Sequence, residues 1–318
     1  MMMMADTLGS VPAVSKPFFD RALLDRAVPI LGMYKAGQRR SVPKNSGNQV
    51  SYRRLNALTP VSTALSEGVR PTPLSLSMTE ITGTIQQYGA YVELSDTLNT
   101  LGIDHMALEC LGLLAEHAAQ STEQIVRAEL VTGTNVIFGT GTQRSAQNAA
   151  NPLTMAMIRR AVRTLDTNDA KPFYGNKDTE TGFGGLYIGF IHPRQWYDLV
   201  GDTVIQNTFA YSDPDKLYTL NLPVVGGVAW IKTTRAPVFT GAGASGADVY
   251  GAILCGSDAF GVVDVGGTGR YRVIAKDAGT GGPSDPLDQI ATVGWKAYQY
   301  PKILNNSFLI RIETGVTD

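Results

Sequence analysis

Histidine and cysteine are nearly missing from this chain of 318 residues, which holds three of the first and two of the second. Metal centres and nucleophilic sites draw heavily on those side chains, so their scarcity narrows the chemistry at once. No group of Cys and His has zinc-binding spacing. His105 and His117 fall on one predicted helix, where twelve residues turn them about 120° apart, a poor geometry for sharing an ion. Cys110 and Cys255 lie far apart in apolar surroundings, which predicts buried free thiols and no disulfide framework, as in a protein made in a reducing cytosol. Phosphate-loop and nucleophile-elbow motifs are absent. Gly139-Thr140-Gly141 lacks the third glycine of a dinucleotide fingerprint and does not join a strand to a helix. His192, before Pro193, is where a loop-held acid or base fits, and with a nearby carboxylate it defines an enzyme alternative. Asp264 is an isolated acid, and Asp213 and Asp215 flank Pro214 as turn formers do. No cofactor, metal or catalytic residue is expected, and the chain is not expected to be an enzyme.

Long apolar runs are missing too. No stretch approaches the ~18 residues that span a bilayer. Met1 to Ser10 lacks a basic segment followed by an apolar one, so no secretion signal is expected. Charged residues are only 17% of the chain, a composition suited to a surface that other chains cover. What charge there is lies unevenly. Residues 1–66 carry nine Lys and Arg against three Asp, leaving 18 basic and 25 acidic residues in the remainder. A basic front and an acidic remainder attract each other between copies, or set the front against nucleic acid.

The chain does have one long periodic segment. Ile103 to Leu130 contains no proline, and Ile103, Ala107, Cys110, Leu111, Leu114, Ala118, Ile125 and Ala128 recur mostly in steps of three and four. That period puts them on one helical face. Asp104, Glu109, Glu116, Gln120, Glu123, Arg127 and Glu129 occupy the other side, which is expected to stay open. A helix of roughly 28 residues is about 42 Å long, far above the usual 11–12 residues or so. It suits a beam along which other pieces lie.

An arm, interrupted by Pro12, Pro17 and Pro29, begins the chain, with a short helix expected at Phe18 to Ala27. Alternation then predicts strands at Gln49 to Leu55, Ser75 to Thr82 and Tyr88 to Leu94. Between the first two runs a polar, proline-containing stretch, Thr59 to Pro73. The result is a long two-stranded excursion with a polar tip, marginal alone in water, so another surface must cover it. The long helix is introduced at Ser95-Asp96-Thr97 or capped near Asp104, and Thr132-Gly133 stops it. A polar loop over 133–151 leads to a second helix, Thr154 to Leu165, with Thr154 as N-cap. Next come a strand at Gly185 to Ile191 and a helix at Gln195 to Val200. From Val204 onward strands and turns are expected: a hairpin or bulge about Gly226-Gly227, then Val249 to Gly256, Phe260 to Val265, Val293 to Tyr300 and Phe308 to Ile312.

The order of these pieces is specific. Gln86-Gln87-Tyr88-Gly89-Ala90-Tyr91-Val92-Glu93-Leu94-Ser95-Asp96, Ile191-His192-Pro193 with Trp196-Tyr197-Asp198-Leu199, and Gly294-Trp295-Lys296-Ala297-Tyr298 through Arg311 carry a likeness over nearly the whole chain. In that order the chain resembles the major capsid proteins of tailed bacteriophages, in pattern those of N-four-like podophages. The resemblance implies an α+β fold, the Hong Kong 97-type capsid fold. It implies an N-terminal arm over 1–44 and an extended β-hairpin loop over 45–85 that lies on a neighbouring subunit. A peripheral domain over 86–151 would hold the spine helix at 103–130, and an axial domain over 152–285 would meet its copies at the capsomer centre. Residues 286–318 would return as strands of the peripheral domain.

The same resemblance implies self-assembly in hexamers and pentamers into an icosahedral head that encloses double-stranded DNA, located in the virion after assembly in the host cytoplasm. A separate scaffolding protein, a portal and a decoration protein are the further partners it implies, with no membrane. Some relatives crosslink through a lysine in the extended loop; here the loop has Lys44 at its base and arginines further in, so non-covalent closure is implied. Arg39, Arg40, Lys44, Arg53, Arg54 and Arg70 are the expected contacts with a neighbouring subunit or with DNA, the latter electrostatic and without base reading. An encapsulin-like compartment shell is the alternative use of the fold; an α+β enzyme built on His192 is the remaining one.

Overall fold

The computed structural model describes residues 31–43, 47–56, 58–65, 67–97, 106–173, 185–212, 224–265, 271–279 and 286–317. In chain order the elements are α1 (Met33–Ala36), β1 (Gln38–Val42), β2 (Gln49–Leu55), β3 (Met78–Thr84), β4 (Gln86–Ser95) and α2 (Met106–Val131). There follow β5 (Val136–Phe138), α3 (Met155–Thr167), β6 (Tyr187–Ile191), α4 (Pro193–Val200) and α5 (Thr203–Ser212). The last third is strands: β7 (Val224–Val225), β8 (Val228–Lys232), β9 (Val238–Phe239), β10 (Val249–Cys255), β11 (Phe260–Val265), β12 (Arg272–Lys276), β13 (Ile290–Gln299), β14 (Lys302–Ile303) and β15 (Leu309–Thr314). The helix expected at Phe18 to Ala27, the acids Asp213 and Asp215, and Lys44, Asp104 and His105 lie outside the described residues.

One sheet runs β5-β15-β10-β6-β8-β7, with β9 on β10. Its inner strands are apolar almost throughout, YIGFI and VYGAILC, and buried along their whole length. Strands covered on both faces lose the polar alternation of a half-exposed sheet. One face packs on α3 and α4 through Ile158, Ala161, Leu165, Trp196 and Leu199. The other presents Ile188, Phe190, Ile253 and Cys255 to Val126 and Leu130 of α2 and to Leu31 and Met33. A smaller antiparallel sheet, β12-β13-β4, lays Val293, Trp295, Ala297 and Leu94 on the first half of α2. The long helix therefore joins two sheets, as a beam should.

Several local expectations are revised. Thr154 sits at the N-cap of α3, but its side chain makes no capping bond. Asp202 takes that role from a distance: its carboxylate accepts the Met155 N–H at 2.8 Å and the Val204 N–H at 3.0 Å, capping α3 and α5 together. Helix α5 was expected as strand and turn; its β-branched residues hid it, and tertiary packing outweighs that propensity. Strands β5 and β12 are also additions. The C-terminal return is split. Strand β13 joins the smaller sheet, whereas β15 pairs antiparallel with β10, Ile312 opposite Ala252. The reason is burial: every residue of β15 is enclosed, which only the larger, two-sided sheet provides. At the β7–β8 turn, Gly226 and Gly227 both have positive φ, as a two-residue hairpin requires.

Candidate assembly surfaces

Strands β2 and β3 form a separate two-stranded sheet, with Tyr52 opposite Ile81. Val50 and Tyr52 turn inward onto Val263, and Ile81, Tyr300 and Leu304 complete that small core. The hairpin root is pinned by Tyr300, whose hydroxyl donates to the Thr82 carbonyl at 3.2 Å. A side chain on Gly83 would meet the Tyr300 ring at under 2.0 Å, so glycine is what lets the ring lie there. Tyr300→Phe removes only the hydrogen bond and is expected to cost about 0.5–1.5 kcal/mol. The check is faster amide exchange across Met78–Thr84 with the rest of the chain unchanged.

Beyond the root the hairpin leaves the body. Leu55, Leu58, Val61, Leu65, Val69, Leu74, Leu76 and Met78 are all exposed, Leu65 at 74%. The tip is therefore not simply polar. Large apolar side chains alternate with Ser, Thr and Pro along it, a signal present in the sequence but diluted by its prolines.

A cavity of about 980 Å³ opens at the hairpin root, walled by β1, β2, Lys171, Asp258 and Asn305. It brings together Arg40, Arg53 and Arg54 and adds Lys171, which sequence reasoning missed. Asp258 is the acid on its wall, and Glu80 lies 3.7 Å from Arg53 on the hairpin surface. The buried hydroxyl of Tyr52 has no partner among the described residues, and burial pushes its pKa up to about 12 against the pull of Arg40. Arg39 stands apart, 5.7 Å from the Tyr34 ring, and Arg70 is exposed on the loop.

The polar side of α2, expected to be open, is largely used. Glu123 is 1% exposed, and its carboxylate accepts the backbone N–H groups of Met33 and Tyr34, each at 3.0 Å. Arg127 donates to the Arg235 carbonyl at 3.3 Å, and Glu129 pairs with Lys302 at 2.9 Å. These three side chains tie the front segment, the larger sheet's loops and β14 to one helix. Leu31, Met33, Tyr34 and Ala36 are consequently core residues, and β1 pairs parallel with β11.

The remaining candidates for chemistry have structural partners. His192 caps α4, its Nδ1 accepting the Arg194 N–H at 3.2 Å, and its ring lies 4.9 Å from Tyr250. Burial and the Arg194 charge hold its pKa below the usual value. His117 accepts from the Trp295 indole at 3.3 Å. Asp264 accepts from the Tyr34 hydroxyl. Thr140, between its two glycines, is held at N–H and carbonyl by the Gln147 amide. Both cysteines are free, and burial raises the Cys255 thiol to about 12. Among the described residues no three of His, Cys, Asp and Glu group as metal ligands, and no helix is long and apolar enough to cross a membrane.

A family model described as phage capsid protein matches residues 90–273. No curated protein matches the chain. Among solved structures, the capsid of Ralstonia phage GP4 superposes with a TM-score of 0.69 at 16% identity, covering 89% of this chain and 88% of that one. The capsid of cyanophage Pam1 gives 0.68 at 16% identity over 92% of each chain. The capsid of Helicobacter pylori bacteriophage KHP30 gives 0.65 at 14% identity over 87% of each. At such identities the superpositions establish the fold, the Hong Kong 97-type fold of tailed-phage capsids.

Proposed function

The chain belongs to the phage capsid protein family, and from that premise we propose how its surfaces build the wall of a head. It is a major capsid protein, a structural subunit that associates with its copies in the virion shell. The extended hairpin, residues 45–85, lies across a neighbouring copy. The arm before residue 31 and the larger sheet's loops make the remaining contacts within and between hexamers and pentamers. The observation that carries this reading is the row of large apolar side chains left exposed from Leu55 to Met78. A two-stranded ribbon is marginal alone, and exposed apolar surface of that extent calls for a partner. Many identical contacts then make a durable shell from modest affinities.

The basic cavity at the hairpin root supports a second contact. Arg40, Arg53, Arg54 and Lys171 outnumber the acids there, and a neighbour's carboxylates complete the charge balance. Arg39, Lys44 and Arg70 are further cations of the front segment and the loop, and such excess charge also suits packaged double-stranded DNA through its phosphates alone. Assembly in the host cytoplasm on a separate scaffolding protein, closure at a portal and reinforcement by a decoration protein complete the proposal.

The test is a fourfold variant, Leu58, Leu65, Leu74 and Leu76→Ser. These side chains are exposed in the isolated subunit, so its unfolding free energy should change by no more than about 0.5 kcal/mol per substitution. Shell formation with scaffold, followed by electron microscopy and sedimentation, should be lost. Shells at parental yield would remove the hairpin from the assembly contact.

A further inference from the structure

The outward face of the smaller sheet is electrostatically frustrated. Along β13, Val293, Trp295 and Ala297 turn to the helix, so Thr292, Gly294 and Lys296 turn away. The register then defines three rows across the sheet: Arg272–Lys296–Gly89, Ile274–Gly294–Tyr91 and Lys276–Thr292–Glu93. Arg272 and Lys296 stand directly opposite each other, an arrangement of like charges that destabilises a sheet. Neither has an ion pair among the described residues, and neither does Lys276. Beside them lies a hollow of about 410 Å³ floored by Gly89 and Gly294 and flanked by Tyr91, Ile274 and Lys276. Tyr91 is 67% exposed. Any side chain at Gly294 would strike the Tyr91 Cβ at 2.7 Å, so the floor is kept bare by close strand approach.

A face with an unbalanced cation pair next to an apolar hollow fits an occupant that brings one carboxylate and one aliphatic group. The hairpin tip has both. Glu67 is the one acid between Asn56 and Ser77, is exposed, and sits at a turn with Gly68. Leu65, two residues before it, is among the most exposed apolar side chains of the chain. Two residues of chain span at most about 7 Å, a reach that matches the spacing of adjacent rows on a sheet face. We propose that the outward face of the β12-β13-β4 sheet is the receptor for the hairpin tip of a second copy, with Glu67 neutralising the Arg272–Lys296 pair and Leu65 filling the glycine-floored hollow. The contact is heterologous, tip to sheet, so it propagates around a ring. It rests on the capsid reading above and names the residues by which the loop finds its place on a neighbour.

The experiment is a charge swap in the full chain, assembled with scaffold. Glu67→Lys is expected to cut shell yield roughly tenfold or more, since one unfavourable contact of about 1.4 kcal/mol per copy is a factor of ten. Arg272→Glu with Lys296→Glu should do the same. Combining all three restores the opposite signs and should restore most of the yield. Should the sheet double variant lower the subunit's melting midpoint, Lys296→Glu alone paired with Glu67→Lys serves as the second swap. Parental yield from Glu67→Lys, or no rescue in the combined variants when their subunits remain folded, overturns the proposal and leaves the capsid reading intact. Normal shells from Arg272→Glu with Lys296→Glu that fail to retain DNA overturn it in favour of phosphate contact. Parent protein that never forms shells overturns both.

Discussion

Replacing Glu313 with alanine is expected to lower subunit stability by about 3–5 kcal/mol, the loss seen when one partner of a buried ion pair is removed. Glu313 is fully buried at the centre of the larger sheet's edge, between β5 and β10. Its carboxylate accepts from Arg144 through two bonds of 2.7 Å and from Arg311 at 2.6 Å. Arg311 is itself nearly enclosed and also donates to the carbonyls of Val131 and Gly133, the end of α2. Arg144 lies over the Phe239 ring at 3.4 Å. Without the carboxylate, one guanidinium is left charged in the interior and the other loses its anchor. Domains of this kind have only about 5–15 kcal/mol to lose, so a chemical-denaturation midpoint should fall sharply. A change under ~1 kcal/mol would mean that water reaches Arg311 and replaces the carboxylate.

The same cluster sets an acid limit. Burial opposes the charged form of Glu313, yet the hydrogen bonds and charges of Arg144 and Arg311 outweigh it and hold the carboxyl below its usual range. A pKa depressed in the folded state contributes stability above the unfolded value, and that stability is lost as pH falls through the folded one. Glu313→Gln removes the charge but keeps the shape. The stability gap between parent and Glu313→Gln should therefore be full near neutrality and shrink once pH falls below about 4.3, the ordinary glutamate value.

Much of this architecture was legible in the chain. The 3.6-residue period announced α2 over the described part of its span, with its expected start at Ile103 outside the described residues, and Thr132-Gly133 marked its end. Period-two runs placed β2 and β4, and Gly226-Gly227 placed the β7–β8 turn. What stayed hidden has a common cause: it depends on partners distant in sequence. Asp202 caps α3 from 47 residues away. Strand β15 chose the larger sheet because that sheet offers two covered faces, which no local pattern reports. Of the cations singled out in the chain, Arg40, Arg53 and Arg54 line one cavity, but Lys171 joins them only through the fold. The like-charged Arg272–Lys296 row of the smaller sheet follows from a β12–β13 register that alternation in a five-residue strand does not define. Glu123 shows the limit most clearly, since a glutamate on the polar side of an amphipathic helix is expected in water.

Glu123→Ala is expected to release the front segment from the body. In the native subunit that carboxylate closes the N-terminal end of α1 by accepting two of the N–H groups a four-residue helix cannot satisfy itself. Bonds of this charge-assisted kind contribute about 1.5–3 kcal/mol each, and their loss leaves two buried donors unpaired. Two outcomes compete. Leu31, Met33 and Tyr34 are wholly or almost wholly buried, and if their packing holds, the penalty of about 3 kcal/mol or more falls on global stability. If it does not, residues 31–36 detach while the sheets and α2 stay folded. The second is favoured, because local opening requires undocking one short turn, whereas global unfolding gives up every sheet. The measurements are amide exchange at Met33 and Tyr34 and trypsin cleavage after Lys35, both expected to accelerate at least tenfold with little change in the main unfolding transition. Glu123→Gln, which still accepts through one oxygen, should fall between. Unchanged exchange at both amides would show that apolar packing alone seats the segment.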